Sequence, residues 1–354
     1  MEKQNHIPML ELLLRPAFCV SEGKITKINA AAAPFLLSQG QDIMPMLATG
    51  KAEYEAFRDG CLYLTLNIGT QQLGANVIAA DGAHLFILEQ PSEKRELQSL
   101  SLAAKELREP LTGMIAAAEQ VLPHASADPL QIAQFNRRIY QMLRIVSNMS
   151  DAVLYAQTGF SRMEYVEICS FLEELLEKTA AQLSEAQIHL RYELPNLPIY
   201  TLADPAKLER AVYNLISNAA KHSPVDGIIQ VNLTCRGRLY LSVADQGCGI
   251  TPGVKSSIFD RYLRTPSITD GSDGIGLGMA LVRSVATAHG GTVLIDHPQD
   301  WGTRVTMTME LRKSSNIPLR SPVLQMDYAG ERDHGLQELA DILPARMYLP
   351  ENMD

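Results

Sequence analysis

The sequence predicts an α+β multidomain chain, and three patterns along it say so. Residues 8–90 mix short alternating apolar runs with Gly and Asp turns. Residues 92–157 place apolar side chains at alternating spacings of three and four. Residues 158–312 interleave strand and helix periods, and 313–354 begin as a polar tail. Each period is what its element needs: two for a half-buried strand, about 3.5 for a paired helix.

In the front region, Gly23 to Asn29 alternates as a strand and Ala30 to Leu37 reads as a short helix. Leu62–Ile68, Gln72–Ala79 and His84–Leu88 read as further strands, with Asp81 and Gly82 as a hairpin turn signal. In the middle region, Leu97, Leu100, Ala104, Leu107, Leu111, Met114, Ala118 and Val121 form one seam. Pro123, Asp128 and Pro129 break it, and Phe135, Ile139, Met142, Val146, Met149, Val153 and Ala156 form a second. Two such helices make a hairpin that buries a single stripe poorly on its own. Two hairpins make a four-helix bundle, so the pattern predicts a dimer through this region.

Behind it, Phe171–Leu183 reads as a helix, Ile188–Tyr192 as a strand and Asp204–Lys221 as a helix. Val231 and Leu233 alternate against Leu239, Leu241 and Val243 as an antiparallel pair. A helix over Leu277–Ala288 and strands near Val293 and Val305–Met309 complete an α/β sandwich. Within the tail, Gly335–Leu343 reads as one helical segment.

Composition narrows the partners. Of 354 residues, 46% are hydrophobic and 20% charged, as in a globular protein. The net charge of −9 argues against nucleic acid or an anionic membrane as the main partner, because phosphate contacts need clustered Lys and Arg. The five cysteines, Cys19, Cys61, Cys169, Cys235 and Cys248, form no C-x-x-C pair. That disfavours zinc and a disulfide framework and suits a reducing cytosol. No stretch approaches the ~20 apolar residues of a membrane span.

The chemistry-bearing residues lie in the sandwich. Asn214, Asn218 and Lys221 share one helix face. An amide oxygen there suits Mg²⁺ and a lysine suits a phosphate, although alone this is only a polar stripe. Asp245 ends a strand and leads into Gly247 and Gly249; a carboxylate there can accept from an adenine amino group, and glycines let backbone approach a flat ring. Gly274, Gly276 and Gly278 open a helix at Leu277, where free N–H groups and the helix dipole favour an anion. Between them, Phe259 could anchor a lid and Arg264 could reach a terminal phosphate. Singly, these are ordinary Gly-rich turns.

Together, the four segments resemble in order and spacing the N, G1, F and G2 boxes of sensor histidine kinases, whose ATPase domain is shared with gyrase. His289-Gly290-Gly291 and Gly302-Thr303 fit the same pattern, and the resemblance spans roughly residues 95–312. It implies ATP and Mg²⁺ as cofactors, with Asn218 on the metal, Asp245 on adenine, and Lys221 and Arg264 on phosphates. Asn214 stands where gyrase-type ATPases carry a glutamate base, so vigorous water activation is not expected. Residues 92–157 are then the dimerisation hairpin. In Ala104-Lys105-Glu106-Leu107-Arg108-Glu109-Pro110-Leu111, most of the family's phosphoacceptor motif S-H-E-L-R-T-P-L is recognisable. Lys105 stands at the histidine, and Glu109 replaces a threonine used in dephosphorylating a partner. Imidazole, with a pKa near ~6.5, is nucleophilic at neutral pH; a lysine near ~10.4 is protonated and is not. The resemblance implies Glu106 as the residue that takes the acceptor's proton. Pro16 to Val20, Gly23 to Ile25 and Ile28 to Ala32 also make residues 8–90 similar to a PAS sensor domain.

The sequence therefore predicts a cytoplasmic two-component-type protein. Its partners would be a second copy or another histidine kinase, and a response regulator. Two readings stay open: phosphorylation of a partner's histidine in trans, or an ATP-gated module that docks a regulator without phosphoryl transfer.

Overall fold

The computed structural model describes residues 10–80, 82–89, 93–121, 128–157, 163–250, 277–312 and 333–353. The front strands are β1 (Ala17–Ser21), β2 (Lys24–Ile28), β3 (Cys61–Ile68), β4 (Gln71–Ala80) and β5 (Ala83–Leu88), with a short α-helix, α1 (Lys51–Ala56), and a 3₁₀ helix over Ala30–Phe35 where the sequence predicts a short helix. They run antiparallel in the order β2-β1-β5-β4-β3. Gly82, at φ 80°, turns β4 into β5. On β3 the residues alternate in destination. Leu62, Leu64, Leu66 and Ile68 pack with Phe18, Val77 and Phe86 in the front core. Cys61 and Tyr63 face the opposite way, into the core of the rear half.

The rear half contains β7 (His189–Glu193), β9 (Ile228–Cys235), β10 (Arg238–Asp245), β11 (Val293–Asp296) and β12 (Thr303–Glu310). A two-stranded pair of β6 (Glu164–Glu167) and β8 (Tyr200–Ala203) lies apart from them. Helices α4 (Ile168–Ser184), α5 (Pro205–His222) and α6 (Gly278–Ala288) cover this sheet. Each has a reason to sit there. Apolar positions such as Leu208, Ala211, Val212 and Leu215 give α5 a buried face, and Asp204 caps it, accepting from the Lys207 N–H at 3.3 Å.

The front and rear strands belong to one ten-stranded sheet. β3 pairs antiparallel with β11, with Tyr63 opposite Val293 and Cys61 opposite Ile295. Each strand thereby loses the exposed edge it would otherwise present. Helix α6 covers the join: Arg283 lies 4.6 Å above the Tyr63 ring and pairs with Glu89 at 2.6 Å. This junction is not predicted by the local sequence pattern, because an edge strand and a paired one carry the same alternation.

The middle region forms two helices of 29 residues, α2 (Glu93–Val121) and α3 (Pro129–Gln157). α2 continues through Pro110. Ala104, Leu111 and Ile115 pack against Ile139, Val146 and Met149. The seam is only half covered: Leu111 is 2% exposed, whereas Leu107 is 49%, Met114 51%, Phe135 46% and Met142 46% exposed. Among the described residues, no helix is long and apolar enough to cross a membrane.

The last residues are not simply a polar tail. Helix α7 (His334–Glu338), capped by Asp333, is followed by 3₁₀ turns at Ala345–Tyr348 and Pro350–Asn352. Leu336, Leu339, Ala340, Leu343 and Tyr348 are buried in the rear core. The apolar positions of this segment are visible in the sequence; that they pack on α3, α4 and α5, with Tyr348 against Tyr140 of α3, is not.

Candidate nucleotide-binding site

The site is built where α5, the end of β10 and the start of α6 converge. The spacing of Asn214 and Asn218 puts both toward the start of α6. Asn214 is buried, and its amide nitrogen donates to the Arg210 carbonyl at 2.8 Å. That bond fixes the amide, and its oxygen faces Gly278: a Cβ on Gly278 would lie 2.7 Å from Asn214 Oδ1 and 3.8 Å from Asn218 Nδ2. Glycine at 278 is therefore what allows the two helices this close approach. α6 begins with no side-chain cap, so its first N–H groups carry no side-chain acceptor of their own.

Leu277, predicted to bind cofactor, is buried with Ala104, Leu111 and Ile115 of the hairpin. Its side chain is thus committed to the hairpin, and only its backbone can serve a phosphate. The same contact brings the start of α6 to the stretch of α2 that contains Lys105. Glu106 on that helix is exposed.

Asp245 closes the other side of the site. It is buried at the end of β10, and one carboxylate oxygen accepts from the N–H of Gly247 at 2.8 Å and of Thr303 at 3.3 Å. Burial pushes its carboxyl above the ordinary range, and these two N–H groups pull against that rise. The glycines are packed, not merely flexible. A Cβ on Gly247 would meet the His222 carbonyl at 2.4 Å, and one on Gly302 would meet the Gly247 carbonyl at 2.2 Å. Gly249, at φ 76°, lies against His297. So His222, His297 and Gly302 brace the turn; none of these three packing roles shows in the motif itself.

His289 works behind the site. Its Nδ1 donates to the Val285 carbonyl at 2.8 Å, and its Nε2 accepts from the Asp204 N–H at 3.1 Å. Thus the end of α6 is tied to the start of α5. Burial lowers its pKa, which favours the neutral ring these two bonds require.

Lys221 points elsewhere. Its Nζ pairs with Asp341 of the C-terminal segment at 2.9 Å. Phe259, Arg264, Gly274 and Gly276 lie outside the described residues, and so does the side chain of Lys105. Among the described residues, no group of three or more His, Cys, Asp and Glu side chains is arranged to hold a metal ion. The five cysteines are free.

Residues 203–313 match the family described as histidine kinase-, DNA gyrase B- and HSP90-like ATPases. The signal transduction histidine-protein kinase/phosphatase MprB of Mycolicibacterium vanbaalenii is 32% identical over 223 residues, covering 60% of this chain and 45% of MprB. The chain is a relative of the sensor histidine kinases. The sensor histidine kinase WalK of Bacillus subtilis is 27% identical over 62% of this chain and 37% of its own length. For the adaptive-response sensory kinase SasA of Synechocystis the figures are 26%, 64% and 63%. The chain thus spans about half the length of the curated kinases it matches. Among solved structures, full-length ShkA in complex with AMPPNP aligns with a TM-score of 0.51 at 22% identity, over 61% of this chain and 46% of ShkA. That likeness is one of fold. In this kinase relative the ATPase domain fold is present, and the convergence of α5, β10 and α6 lies within it.

Proposed function

We propose that this chain is an ATP-binding signalling protein of the two-component type that does not phosphorylate its own hairpin helix. The observation that carries the reading is the convergence of Asn214 and Asn218 on the start of α6, with buried Asp245 in the turn packed against His222 at the end of the same helix α5. In this reading Asn218 offers an amide oxygen to Mg²⁺, a hard cation that takes few protein ligands and several phosphate oxygens. Asp245 accepts from the adenine amino group. Gly274, Gly276, Gly278 and the backbone of Leu277 cradle phosphates, with Lys221 and Arg264 as counter-charges and Phe259 on the lid. Bound ATP supplies a phosphoryl group; the chain's residues bind and orient it.

The second part of the reading concerns Lys105. The contact of Leu277 with the Ala104 cluster puts α6 beside this segment of α2. A protonated lysine there offers no lone pair to an incoming phosphoryl group. Glu106 remains as a base with no imidazole to serve. The phosphoryl group would then go to a histidine on a partner kinase in trans. The exposed stripe of Leu107, Met114, Phe135 and Met142 supports a partner hairpin, a second copy or another kinase, completing a four-helix bundle. A response regulator is the expected downstream partner, and residues 8–90 the PAS-like sensor. The reading without phosphoryl transfer, an ATP-gated docking module, is favoured by the same Lys105.

The site is tested by titrating a fluorescent ATP analogue with Mg²⁺ into wild type, Asn218→Ala and Asp245→Ala. The proposal expects Asn218→Ala to lose the metal dependence and Asp245→Ala to lose the preference for adenine. Unchanged binding in both variants would remove the assignment.

A further inference from the structure

The C-terminal segment joins two helices, α3 and α5, through charges far apart in the sequence. Asp341 accepts from Arg144 Nη1 of α3 at 2.6 Å and pairs with Lys221 Nζ of α5 at 2.9 Å. Glu338, fully buried, lies 3.6 Å from Arg144 Nε and 3.6 Å from Arg210 Nη2 of α5. Neither Glu338 oxygen has a hydrogen-bond partner among the described residues. Backbone carbonyls of Ala340 and Asp341 accept from Arg137 of α3 at 2.9 and 3.0 Å. The segment therefore bridges a hairpin helix and the helix that carries Asn214 and Asn218.

We propose that residues 333–353 form an autoinhibitory clasp that holds the ATPase helix α5 against α3 and competes with nucleotide phosphates for Lys221. The inference rests on the reading of Lys221 as a phosphate contact. Two features make the clasp releasable. Asp341 brings a carboxylate to the lysine that a triphosphate needs, so the two anions exclude each other there. Glu338 sits in a buried ion cluster whose contacts are longer than hydrogen bonds, and desolvating such charges offsets most of their attraction. Apolar anchors such as Leu336 and Tyr348 supply the remaining hold. Competition for one lysine is reciprocal: the clasp weakens ATP binding by the same factor by which ATP loosens the clasp.

The test uses the full chain. Mg-ATP and adenosine are titrated calorimetrically into wild type and Asp341→Asn, and hydrogen exchange is followed over 333–353 with and without Mg-ATP. The clasp expects Asp341→Asn to bind Mg-ATP about tenfold more tightly, within the usual range of coupling between sites. It expects adenosine, which has no phosphates, to bind both proteins equally. It also expects ATP to speed exchange in the segment of the wild type, a readout that needs no substitution. ATP and adenosine binding normally, with no tightening in Asp341→Asn and no faster exchange, would overturn the clasp and leave the nucleotide site standing. Absence of binding by either ligand to either protein would overturn the nucleotide reading and the clasp with it.

Discussion

The amide oxygen of Asn214 and the Cα of Gly278 are in such close contact that a Cβ at 278 would lie 2.7 Å from that oxygen. Two helices far apart in the chain, α5 and α6, meet at this point, and the candidate site is the space beside it. Gly278→Ala should push the Asn214 amide aside and break its bond to the Arg210 carbonyl. Overpacking of this kind costs about 1–3 kcal/mol. Denaturant unfolding should show that loss, and nucleotide affinity should fall more than it does for an alanine placed at exposed Gly237.

A second close approach governs the junction of front and rear. Gly60, at φ 90°, lies just before β3, and a Cβ there would fall 2.0 Å from the Ile295 carbonyl. Gly60→Ala should therefore part β3 from β11, at a cost of at least about 1–3 kcal/mol. Exchange protection should be lost at the β3–β11 pair and kept at the β9–β10 pair. Loss of protection throughout the rear sheet would mean that the two halves fold as one unit.

The hairpin stripe predicts association. Val146 and Met149 are buried within the single hairpin, so charges there would unfold it rather than separate two copies. Met114 and Met142 are exposed and are the better probes. Met114→Glu with Met142→Glu should yield a folded monomer by light scattering and circular dichroism. A folded dimer of that variant would put the interface elsewhere.

His289 predicts a pH dependence. Its folded pKa lies below the ordinary 6.5 because burial disfavours the charged ring. The unfolded state then binds the proton more readily, so this contribution to stability is complete above about 6.5 and is lost as pH falls below it. His289→Gln should flatten that part of the profile. It should also cost about 1–3 kcal/mol at pH 7.5 if the Asp204 N–H is left without its acceptor.

Much of this was legible in the sequence. The spacing of Asn214 and Asn218 and the glycines around Asp245 are local, and local patterns fix what each element offers. The helix and strand periods in 158–312 are legible for the same reason. What could not be read was long-range: that β3 pairs with β11, that Leu277 turns into the hairpin, and that Asp341 meets Lys221 across 120 positions. A lysine at the end of a helix carries no mark of which anion it will meet. The half-covered seam was legible as a seam, but which half the hairpin covers itself depends on the helix crossing.

The most direct measurement is incubation of wild type and Lys105→His with ATP labelled in the γ-phosphate, followed by assay for acid-labile phosphate on the chain. The account predicts none on the wild type and a trace on Lys105→His, increased by adding Glu109→Thr. Strong acid-labile labelling of the wild type would contradict it.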